Sequence, residues 1–184
     1  EYVFIVFHFP VQHEGVNHID VLHLNVFIGP HFLITISHGG LSPLDELFQE
    51  LQRNTRYRRK CFQKGSGYLL YILIKQLFES CLPYLSQLNR LMRKIEDDIF
   101  EGKVVTDRLY EIMMVRRQII NLKRTILPHK PILLMLEPLH KRFMTKGLEL
   151  YFDDIVDKIS RSEINLNSMS ETINILHKAN ESLT

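Results

Sequence analysis

The feature that most constrains this chain is its last segment. No Gly or Pro occurs between Leu148 and Thr184. Within that stretch Phe152, Ile159, Leu166, Ile173 and Asn180 are seven apart, and so are Ile155, Ser162, Met169, Leu176 and Leu183. Such a repeat draws one apolar stripe along an α-helix. A single helix here spans ~55 Å at ~1.5 Å per residue. That is too long for a compact small domain to surround. The rod needs a partner along its seam, either a second copy of the chain or a helical hairpin from earlier in the same chain. Ser162 and Asn180 weaken the seam and are expected to set its register.

The rod also carries Asp153, Asp154 and Asp157. With Phe152 and Ile155 on the seam, these carboxylates fall on the wet side. Asp154 and Asp157 are three apart, so they are neighbours that repel by about 0.2–0.5 kcal/mol. Two readings are open. Acids in the first turns of a helix are favoured by its dipole and by water. A hard cation would also relieve the repulsion, because Mg²⁺ takes oxygen ligands and often uses one or two carboxylates plus its own waters.

Upstream, YVFIVFHF (2–9) is β-branched and aromatic and reads as a strand. DVLHLNVFI (20–28) alternates, with Leu22, Leu24, Val26 and Ile28 on one face. Gly29-Pro30-His31 turns the chain into FLITIS (32–37), which makes a hairpin. So few strands need further strands or covering helices. Ser42-Pro43 opens a helix, with Ser42 as its cap and a stripe of Leu44, Leu47, Phe48 and Leu51. A helical pattern runs from Tyr68 to Phe100, with a kink or break expected at Pro83 and a stop at Gly102. Thr106 is expected to cap a second helix bearing Leu109, Ile112, Met113, Ile119, Ile120, Ile126 and Leu127. The short connection makes an antiparallel hairpin. Pro128, Pro131 and Pro138 are expected to break the next stretch into short or kinked pieces. The chain divides into 1–66 with the strands and first helix, 67–147 with the hairpin and kinked helices, and 148–184 with the long helix.

Composition narrows the function. The chain is 45% hydrophobic, which is enough for a folded core. Its net charge of +2 gives no global field toward nucleic acid. Cys61 and Cys81 form no CxxC pair, which fits a reducing compartment such as the cytosol. The longest apolar run, YLLYILI (68–74), cannot cross a bilayer. The chain opens inside a strand pattern without Met and ends with a helical pattern still running, so a fragment is expected.

RNTRYRRKCFQK (53–64) holds six basic side chains and no acid. It reads as a solvated helix or loop, with an acidic partner, nucleic acid or anionic lipid as the functional alternatives. Histidines 8, 13, 18, 23, 31 and 38 lack tight ligand spacing and read as exposed strand and loop residues, with a transition-metal site as the alternative. No GxSxG, P-loop or Cys–His–acid set is present, so an enzyme is not expected. Gly65-Ser66-Gly67 reads as a helix-opening turn.

Four stretches in order, YVFIVFHFP (2–10), GYLLYILI (67–74), LKRTILP (122–128) and YFDDIVDKI (151–159), resemble the cytosolic part of the CorA family of divalent-cation transporters. The resemblance implies an α+β fold: an α/β/α sandwich lacking its first elements, then a helical hairpin and a long C-terminal stalk helix. It implies a homo-pentamer around one pore at the cell membrane, with this domain on the cytoplasmic face. It implies that the family's membrane spans and Gly-Met-Asn signature, which occurs nowhere in this sequence, fall outside these residues. It also implies regulatory Mg²⁺ held between subunits, with Asp154 at the stalk acid and Asp157 one turn on. Three features depart from the family. The partner acid lies upstream of Glu1. Lys75 stands where some members carry an acid. Lys158 stands where some have His, and it offers a salt bridge in place of a cation. The expected function is ion sensing and gating for a transporter of Mg²⁺, or of Co²⁺ or Ni²⁺. The alternatives are a helical scaffold that binds an acidic partner and a zinc-transporting relative of the same superfamily.

Overall fold

The structure is a computed structural model. It describes residues 1–12, 19–102, 107–143 and 147–183, leaving the side chains of 137–143 and 183 undescribed. Three strands, β1 (Val3–Gln12), β2 (Ile19–Gly29) and β3 (Phe32–Ser37), precede seven helices. These are α1 (Ser42–Arg53), α2 (Thr55–Gln63), α3 (Ser66–Glu79), α4 (Leu82–Phe100), α5 (Arg108–Ile126), α6 (His129–Phe143) and α7 (Glu149–Leu183).

The strands form an antiparallel sheet in the order β1-β2-β3. Alternation decides its two faces. Phe7, Phe9, Leu24, Val26 and Ile28 point inward and are buried. The other face bears the cross-strand row Phe4–Phe27–Ile34 and the row Val6–Asn25–Ile36. On it Phe4, Ile34 and Ile36 are half exposed. β1 runs on through Pro10 because it is an edge strand, where a missing N–H breaks no ladder. Two of its N–H groups are satisfied by side chains instead. His8 N–H donates to His129 Nε2 at 3.4 Å and Gln12 N–H to the Tyr84 hydroxyl at 3.2 Å.

α3 is apolar nearly all round and is accordingly the central helix, packed against β2, β3, α1, α2, α6 and α7. Gly65, at φ 86, opens it, a backbone that a side chain would strain. The Ser66 hydroxyl donates to the Gly29 carbonyl at 2.6 Å, joining α3 to the end of β2. The expected break near Pro83 falls at Ser80–Cys81. Pro83 itself sits in the first turn of α4, where its missing N–H is not needed. Gly102, at φ 63, follows the end of α4 as expected.

Several local expectations are corrected. Ser42 is the first helical residue rather than the cap; Leu41 holds that position and gives no side-chain bond. Phe48 is exposed, while Leu47 of the α1 stripe is buried and Leu44 and Leu51 pack half-buried against the core. The expected cap at Thr106 lies outside the described residues, and α5 begins after Asp107. The buried line of α5 is Ile112, Val115, Ile119, Leu122 and Ile126; Leu109, Met113 and Ile120 face outward. Alternating steps of three and four keep one seam facing α7, α4 and β1, and the broader stripe drawn from sequence overran it. α6 is one helix through Pro138. Pro128 and Pro131 fall around its start, where they do no harm, and Leu133 and Leu136 anchor it in the core.

α7 is unbroken over 35 residues. Phe152, Ile155, Ile159, Ser162, Leu166, Met169, Ile173, Leu176 and Asn180 are all buried. The Leu183 side chain lies outside the described set. Of the two partners the seam allowed, the intramolecular one is realised: α7 packs on α4, α5 and α6, and on α3 near its start. Buried Arg108 ties the hairpin by donating to the Asp98 carbonyl of α4 at 3.0 Å.

Candidate functional site

The acids of α7 lie where the seven-residue repeat puts them. Phe152 and Ile155 turn inward, while Asp153, Asp154 and Asp157 face solvent. Asp154 is not alone. Lys158, one turn on, places Nζ 2.9 Å from its Oδ2 and 3.4 Å from Glu79 Oε1 at the last residue of α3. The hydrogen bond to Asp154, and then the nearby negative charge, push the Lys158 pKa up. Among the described ion pairs, Asp157 takes part in none.

An aromatic cluster stands beside this ion pair. Tyr71 approaches Tyr151 at 4.9 Å and Phe152 at 6.0 Å between ring centroids. Lys64 Nζ lies 4.2 Å from the Tyr68 ring centre and 5.4 Å from that of Tyr151. The start of α7 is therefore held to α3 by rings and by two lysines. Lys75 takes part in none of the described ion pairs; its ammonium stands 6.0 Å from the Tyr71 ring.

The donor set suits a hard cation in kind, being carboxylate oxygen open to water. It is short in number. Among the described residues no three His, Cys, Asp or Glu side chains converge. Any ion at Asp154 would keep most of its waters or draw oxygens from another chain. Sequence reasoning missed Glu79. No local signal marks it, because it meets Lys158 across 79 positions.

The other candidates resolve differently. α2 carries its arginines outward, but Arg58 donates to the carbonyls of Leu51 and Gln52, so it serves the end of α1. Asn54 caps α2 by accepting from Tyr57 N–H at 3.0 Å. His8 and His23 meet edge-on across β1 and β2, 4.5 Å between ring centres, on the outer face. Burial first, then His23, lowers the His8 pKa. His31 and His38 are exposed, and His13 and His18 lie outside the described residues. A cavity of about 530 Å³ opens between Leu33, Leu44, Leu47, Phe48, Phe62 and Leu69. Its apolar lining converges no chemistry. Among the described residues no helix is long and apolar enough to cross a membrane.

A sequence model of the CorA-like Mg²⁺ transporter proteins matches residues 1–184. The cobalt/magnesium transport protein CorA of Methanocaldococcus jannaschii is 22% identical over 157 residues, covering 84% of this chain and 47% of that protein. The chain spans about half the length of the relatives it matches. The solved soluble domain of that CorA superposes with a TM-score of 0.84 at 19% identity, covering 99% of this chain and 70% of the other. The ZntB cytoplasmic domain from Vibrio parahaemolyticus superposes at 0.76 with 14% identity, covering 98% of this chain and 70% of the other. A match over every residue, together with this shared fold, leads to one conclusion: the chain belongs to the CorA-like Mg²⁺ transporter family.

Proposed function

We propose that this chain is the cytosolic ion-sensing and gating domain of a CorA-type transporter whose cargo is Mg²⁺, or Co²⁺ or Ni²⁺. The carrying observation is α7: an unbroken rod, buried along one seam, with its carboxylates in water. A rod of that kind transmits a displacement at one end to the other. In this reading the whole protein is a pentamer at the membrane, with spans outside these residues. Asp154 and Asp157 face a neighbouring subunit and supply carboxylate oxygens to regulatory Mg²⁺. The bound ion neutralises acids that otherwise repel, so it favours whichever packing brings them together. It can shift the population only by its difference in affinity for the two packings. If closed binds better than open, rising cytosolic Mg²⁺ closes the pore.

Limited proteolysis of the whole protein in detergent tests this. Millimolar Mg²⁺ should slow cleavage of the wild type, and an Asp154→Ala, Asp157→Ala double variant should lose that protection while its uptake escapes inhibition by Mg²⁺. Protection retained by the double variant would remove the sensing role. A zinc-transporting relative is the second reading, supported by the His8–His23 pair, since imidazole suits Zn²⁺. Parallel uptake assays with Mg²⁺, Co²⁺, Ni²⁺ and Zn²⁺ decide the cargo.

A further inference from the structure

We infer that Lys158 is a tethered cation that occupies the Asp154 carboxylate in competition with divalent ions, and so sets the ion concentration to which this site responds. The inference rests on the reading of Asp154 as an ion ligand. Its geometry is that of a bridge. One ammonium reaches Asp154 at 2.9 Å on α7 and Glu79 at 3.4 Å on α3, so it joins two elements through oxygen as a metal ion would.

Three physical features make the bridge a standing one. Asp154 precedes Lys158 by four residues, the favourable order for an intrahelical pair. Glu79 ends α3, at the negative pole of that helix, where a carboxylate needs a cation. The Lys158 side chain is 31% exposed, less than Asp154 at 53% or Glu79 at 43%, so its stem is packed while its head reaches out. The stem lines a small cavity with Arg161 of α7 and with Leu82 and Leu85 at the start of α4.

Charge counting shows why the bridge competes without abolishing the site. Asp154 and Glu79 carry two negative charges and Lys158 one positive, with Asp157 a further acid one turn from Asp154. The group remains negative, so a divalent ion is still attracted. It must first displace the ammonium from Asp154, or bind beside it against its repulsion.

Lys158→Met keeps the stem and removes the charge. In the whole protein, the Mg²⁺ concentration giving half-maximal protection from proteolysis should fall on the order of tenfold in this variant. Lys158→Arg keeps the charge and should stay near the wild-type value. An unchanged midpoint in Lys158→Met, with protection still lost in Asp154→Ala, would overturn the competition and leave the sensing role standing. If Lys158→Met were misfolded, Lys158→Gln and isothermal titration with MgCl₂ would replace it, with the same expected fall. Loss of response in both charge-removing variants while Lys158→Arg still responds would also overturn the inference, because it would make Lys158 a support of the site.

Discussion

His129 opens α6 with its ring buried between Phe7 and Phe9. Its Nε2 accepts the outward N–H of His8, so the ring must be neutral with its proton on Nδ1. Burial drives its pKa down from 6.5 to about 4. The folded state thus binds fewer protons than the unfolded chain between these values. The stabilisation is complete above about 6.5 and is lost as the pH falls toward about 4, up to about 3 kcal/mol in all. Urea unfolding at pH 7 and pH 4.5 should show this loss, and His129→Gln, which keeps an acceptor, should flatten it. Cys81 is also shaped by burial, which lifts its thiol to about 12 and makes it inert at neutral pH. At this scale the sequence was legible for Asp154 and Asp157, whose exposure follows from the helical period alone. It was silent on His129, because nothing next to that residue announces that β1 will pass beside it.

The elements were most legible where the repeat was longest. α7 shows the expected seam, and polar Ser162 fits there by donating to the Lys158 carbonyl one turn back. Because that bond lies within its own helix, Ser162→Ala should change stability by less than about 1 kcal/mol. Leu166, fully buried on the same seam, has no such alternative. Leu166→Ala should lower the unfolding free energy by about 2–5 kcal/mol, read from a shifted denaturation midpoint at constant slope. Shorter elements were less legible. The stripe on α5 was drawn too wide because Leu109, Met113 and Ile120 are apolar yet outward. The cap of α1 moved by one residue because Ser42 is itself helical. Proline positions read correctly at α4 but not at α6, since helix interruption depends on whether core packing makes good the lost bond.

In the whole molecule the sheet is covered on one face only by the described residues. The other presents Phe4, Phe27, Ile34 and Ile36 in two adjoining rows. An apolar patch of this kind is an interaction surface or an aggregation liability. The chain expressed alone should bind the dye ANS, and Ile34→Thr with Ile36→Thr should reduce the fluorescence without altering the far-ultraviolet dichroism. The sequence by itself determined the seven-residue seam of α7, the inward face of β2 and the wet side of α7. Those properties repeat within a few residues of one another along the chain, so local spacing encodes them. Only the tertiary structure decided that the α7 seam is filled by α4, α5 and α6, and that Lys158 finds Glu79. Both depend on which distant segments meet, a matter settled by the packing of all the faces at once.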